Sequence, residues 1–154
     1  MPHRIIAIPT YTAERARTTG RSPGYGHPTH REIATGHGPC RHCLRTFRIG
    51  AEERILFTFD AFSGIETLPL PGPVFIHAET CDRYPEDAGL PPDLRAHPLT
   101  LSAYARGRIL QDVAYASGLD AGREIDRMMM NPAVSYIQVH DTEAGCFDFR
   151  VERG

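Results

Sequence analysis

Proline and glycine interrupt this chain so often that no single element can be long. Most of the prolines fall in three stretches, residues 19–39, 68–73 and 82–98. Residues 19–39 have little periodicity and read as a long loop, and loops of that length tend to be functional or mobile. Leu68-Pro69-Leu70-Pro71-Gly72-Pro73 fits neither a helix nor a central strand, because proline removes the donors a ladder needs.

Short strands fill the intervals. Residues 4–8 read as an edge strand, 55–59 as a strand rich in aromatic and aliphatic residues, and 74–77 as a buried strand. Residues 99–105 and 109–115 form a hairpin across Arg106-Gly107. Residues 134–140 and 146–151 form a second hairpin across Asp141 to Gly145. Thr10 to Thr18 suits a short helix with Thr12 as its N-cap. The clearest helix runs from about Asp120 to Asn131, with Ile125, Met128 and Met129 at helical spacing and Pro132 just past its end. The expected class is α+β: a single domain over residues 1–154 with a mostly antiparallel sheet and two or three short helices.

Composition excludes several chemistries. The chain of 154 residues is long enough for a core without staples. Its formal charge of −2 gives no pull toward nucleic acid or anionic membrane. No apolar run approaches a membrane span, and the opening Met1 to Pro9 is too short for a secretory signal, so a cytoplasmic location is expected. Every basic residue is arginine. That rules out a lysine Schiff base or a P-loop lysine, but leaves bidentate grips on carboxylate, phosphate or enolate oxygens. No Gly-x-Ser-x-Gly elbow and no phosphate-binding glycine fingerprint occurs.

Two segments concentrate the reactive residues: Gly38-Pro39-Cys40-Arg41-His42-Cys43-Leu44 and Phe75-Ile76-His77-Ala78-Glu79-Thr80-Cys81. A Cys-x-x-Cys pair with a His-x-x-x-Cys pair is a ligand inventory for a tetrahedral metal site at Cys40, Cys43, His77 and Cys81. The set converges only if the strand at 74–77 lies beside the cysteine turn and ends directly after His77. The same residues could equip an active site. His77 and Glu79 project to one side of an extended segment, which suits a general acid or base oriented by a carboxylate. Tyr136, Gln138 and His140 share one strand face and could line a pocket, or simply face solvent, with Ile137 and Val139 on the core side. Gly145 permits a tight turn before Cys146. The loop of His27, His30 and His37 could form a lid or a plain surface. Arg41 is a candidate anion clamp or an ordinary ion-pair partner.

The chain resembles a family of small bacterial proteins known only as domain-of-unknown-function family 1203. The resemblance rests on residues 38–44, 72–77, 98–104 and 143–150. It implies that Cys40, Arg41 and Cys146 are shared elements. It also implies that the second cysteine of the turn and His77 vary within the family. No settled activity comes with it.

Two readings remain. In the first, a cofactor-independent enzyme performs lyase-, isomerase- or cyclase-like acid–base chemistry on a small organic substrate, with no nucleic-acid or membrane partner. His77, Glu79, His140 and Arg41 would be catalytic, and Tyr136, Gln138, Cys146 and Cys40 would bind substrate. In the second, a non-enzymatic binding module folds around zinc at Cys40, Cys43, His77 and Cys81.

Overall fold

The computed structural model describes residues 3–154. Met1 and Pro2 lie outside the described residues. The order is β1 (His3–Ile6), α1 (Thr10–Thr19), β2 (His30–Ile33), β3 (Glu53–Asp60) and β4 (Pro71–His77). A 3-10 turn at Pro92–Leu94 then leads to β5 (Pro98–Ala105), β6 (Ile109–Ser117), α2 (Gly118–Met129), β7 (Tyr136–Asp141) and β8 (Phe147–Arg153). Every pairing is antiparallel. Five strands form one sheet in the order β1-β8-β7-β5-β6, and three form a second in the order β2-β3-β4. The α+β class and the mostly antiparallel pattern expected from sequence are present, but the strands divide between two sheets.

Each sheet has its own core. Apolar residues of α2 recur on one helix face, so Ala121, Ile125, Met128 and Met129 bury together against Leu99, Leu101, Ile137 and Val139 of the larger sheet. A second cluster joins Ile55, Phe57, Val74 and Ile76 of the smaller sheet to Ala13 and Ala16 of α1 and to Phe147. The cysteine turn straddles the two: Leu44 belongs to the first core, and Cys40 and Cys43 to the second.

Several expectations need correction. The stretch 19–39 is not a continuous loop, since β2 lies inside it and pairs with β3. Its histidine does not make a lid: His27 Nε2 lies 2.9 Å from both Ser22 Oγ and Thr58 Oγ1, which ties the segment to β3. Helix α1 begins at Thr10, so Thr12 is inside the helix and Pro9 is the N-cap. The face of Tyr136 and Gln138 is neither solvated nor a pocket wall, because the smaller-sheet side of the molecule covers it. Tyr136 donates to Glu66 Oε2 at 2.6 Å and Gln138 Nε2 donates to the Ala61 carbonyl at 2.7 Å. β4 carries Pro71 and Pro73 and is an edge strand, in keeping with the donors those prolines lack.

Candidate metal centre

The cysteine turn is shaped by its backbone. The Leu44 amide donates to the Cys40 carbonyl at 2.8 Å, and the Cys40 amide donates to the Arg45 carbonyl at 3.0 Å. The Arg41 amide donates to the Phe75 carbonyl at 2.9 Å, which sets the turn against β4. β4 ends at His77, so the chain is free to bend and bring Cys81 back. Gly38 enters the turn with φ near 94°, and a Cβ there would lie 2.6 Å from the Phe47 ring. That ring packs against His77 with centroids 4.7 Å apart.

One ligand atom from each of Cys40, Cys43, His77 and Cys81 lies within 4.8 Å of the others, and these four could hold a metal ion. Cys40 Sγ and Cys81 Sγ are 3.9 Å apart, and Cys43 Sγ is 3.4 Å from His77 Nδ1. Cys40, Cys43 and His77 are buried and Cys81 is partly exposed.

Partners around the four atoms orient them. His77 presents Nδ1 to the cluster while Nε2 meets Glu52 Oε2 at 3.1 Å. A carboxylate on the far imidazole nitrogen fixes the tautomer and raises ligand basicity. The His77 amide donates to Cys40 Sγ at 3.3 Å. Arg17 Nη2 donates to Cys81 Sγ at 3.2 Å, and His42 Nδ1 lies at the same distance. Thr10 Oγ1 is 3.0 Å from His42 Nε2, so its hydroxyl can donate there while Nδ1–H donates to the sulfur.

Crowding separates the protonation states. Burial, then the neighbouring Cys43 and Cys81 thiols, hold Cys40 well above the usual thiol range. Hydrogen bonds from Cys40 and Cys43, helped by His42 and His77, pull Cys81 down toward thiolate. Burial alone would lower His77, but hydrogen bonds to Cys43 and Cys81 and the Glu52 charge raise it to about 10. A soft dication among these groups would displace their protons and take over the charge balance.

The other sequence candidates lie elsewhere. Glu79 is exposed and does not orient His77, because strand alternation stops at His77. Glu52, carried beside His77 by the β3–β4 pairing, takes that place. Arg41 is buried: Nε donates to the Phe147 carbonyl at 2.7 Å, Nη1 to the Pro39 carbonyl at 2.6 Å, and Nη2 lies 3.3 Å from Asp148 Oδ1. It ties the turn to β8 and presents no open clamp. His140 and Cys146 line a separate cavity of about 240 Å³ with Phe59, Pro73 and Phe147. Burial and the Arg41 charge lower His140. Sequence reasoning missed Glu52, Arg17 and His42. Only His42, set between the two cysteines, had a local signal.

No helix among the described residues is long and apolar enough to cross a membrane. No curated protein and no solved structure matches the chain. Residues 37–153, which include all four clustered ligands, match the family described as "Protein of unknown function (DUF1203)", and the chain belongs to that family.

Proposed function

We propose that this chain is a non-enzymatic binding module whose fold is held by one structural zinc ion on Cys40, Cys43, His77 and Cys81. The observation that carries this reading is the spacing of the ligand atoms. Zinc–sulfur bonds of about 2.3 Å and zinc–nitrogen bonds of about 2.0–2.1 Å at tetrahedral angles put two sulfurs ~3.8 Å apart and a sulfur and nitrogen ~3.5 Å apart. Two of the pairs here stand at 3.9 and 3.4 Å, and all four ligand atoms lie within 4.8 Å of one another. Three thiols and one imidazole suit a soft, four-coordinate ion and leave no open position for substrate. The expectation of a protein without a cofactor draws no support from such a cluster.

The acid–base reading draws little from the same geometry. Both ring nitrogens of His77 are engaged, one by the thiols and one by Glu52. A general acid or base needs one nitrogen within reach of the substrate.

Elemental analysis of protein purified without chelator tests the proposal. About one zinc per chain is expected, and the Cys40→Ser/Cys43→Ser double variant should lose both the metal and cooperative unfolding. His77→Ala should weaken the metal and the fold together. A metal-free parent with a sharp unfolding transition, or a well-folded His77→Ala that has lost only a turnover, would sink the structural role.

A further inference from the structure

Beside β1 and β8, a network of arginines and carboxylates is one negative charge short. Arg4 pairs with Glu86 at 3.3 Å and with Glu152 at 2.6 Å. Arg83 meets Glu86 at 3.3 Å, and Arg150 meets Glu152 at 2.7 Å. Three guanidinium groups therefore share two carboxylates. Arg83 is held in place through the Ile8 and Ala7 carbonyls, at 3.2 and 2.6 Å. Arg150 commits only Nε, and its two Nη groups have no hydrogen-bond partner among the described residues.

Arg83 and Arg150 line a cavity of about 210 Å³ bounded by Phe59 and Phe147, whose rings stack with centroids 6.0 Å apart. Thr12 lines it too. It is only 7% exposed, yet its hydroxyl has no partner among the described residues. Thr18 and Thr19 of the same helix bond back to carbonyls four residues earlier. The hydroxyl keeps some access to solvent, so it is not an orphaned buried group; beside the uncommitted guanidinium donors it is a free partner for a polar ligand. A wider groove of about 430 Å³ continues from it, sharing Tyr11, Thr12, Phe59 and Ser63. Arg15 and Asp60 both line that far groove, so it carries no net charge of its own.

We propose that this cavity binds a small organic carboxylic acid. Its carboxylate completes the network on Arg150, with Arg83 behind, and its apolar body lies against Phe59 and Phe147. Guanidinium groups favour carboxylates through paired N–H donors, and the aromatic pair supplies burial for the body. The site shares no residue with the four clustered ligands, although Arg83 follows Cys81 by two residues.

Calorimetric and NMR titration of the full chain, as purified, tests this with phenylacetate and hexanoate as probes. Phenylacetamide serves as the neutral isostere and inorganic phosphate as a bare anion. Saturable binding of a carboxylate probe is expected, with shifts at Phe59, Phe147 and the Arg150 side chain. Binding should be at least tenfold weaker for phenylacetamide and for Arg150→Gln, with partial recovery in Arg150→Lys. Thermal unfolding and metal content of Arg150→Gln should match the parent. If that variant misfolds, Thr12→Val, which conserves volume, takes its place. Four results would overturn the proposal: equal binding of acid and amide, binding unmoved by the variants, phosphate outcompeting both carboxylates, or no saturable binding up to about 10 mM.

Discussion

At Asp148, burial and charge oppose each other. The side chain is 1% exposed, and the nearest cation, Arg41, stands 3.3 Å away. Neither carboxylate oxygen has an aligned hydrogen bond. Burial therefore outweighs the pairing, and the carboxyl is pushed up to about 7, with Asp141 adding to the rise and Arg41 resisting it. The raised value means that the folded chain holds this proton more tightly than the unfolded one. The group's contribution is fully present below its unfolded value near 4 and is lost as pH rises through about 7. Across that window the parent should lose on the order of a few kcal/mol relative to Asp148→Asn, which cannot titrate. Taking the difference between the two proteins removes the acid sensitivity of the thiol cluster. Urea denaturation at several pH values gives the number, and a flat difference from pH 4 to 8 would show that Asp148 stays ionised.

At the scale of elements, the closest junctions leave no room for a side chain. Helix α2 starts against the 3-10 turn, where a Cβ on Gly118 would sit 2.0 Å from the Leu94 carbonyl oxygen and 2.6 Å from Arg95 Cα. Backbone cannot give way as a flexible side chain can. Gly118→Ala should therefore cost at least about 1–3 kcal/mol in chemical denaturation, despite the higher helix propensity of alanine. A neutral effect would mean that α2 can slide off the turn. This junction also marks what the sequence displays and what it hides. The hairpins β5–β6 and β7–β8 are legible because alternation and a short turn are local signals. So is α2, through the spacing of Ile125, Met128 and Met129. β2 is not: His30–Ile33 is largely exposed and becomes a strand only because β3 offers an edge. The four ligands are legible as two tight sequence pairs. Glu52 is not, because its approach to His77 depends on the β3–β4 register. The buried side of Tyr136 and Gln138 likewise depends on how the two sheets pack, which alternation along one strand cannot report.

For the whole molecule, the metal centre is a stitch among neighbouring segments on the side of the smaller sheet. Its ligands come from the turn at 40–43, the end of β4 and the segment after it. Arg17 of α1 and Glu52 before β3 brace them. All of these belong to the smaller sheet and its core. The core under α2 holds only Leu44 from the cysteine turn. A structural zinc site can contribute about 10–16 kcal/mol in small domains, as much as the ~5–15 kcal/mol that holds a whole domain together. Here the loss should fall unevenly, because β5, β7, β8 and α2 keep an apolar core that includes no ligand. Stripping the metal with a chelator and following amide exchange should therefore deprotect β4, residues 38–47 and residues 78–84 first. β5, β7 and β8 should stay slow to exchange. Uniform loss across both sheets would make the chain one cooperative unit around the metal. Unchanged protection at Leu44 and His77 would mean that the cluster holds nothing together, and the thiols would need another explanation.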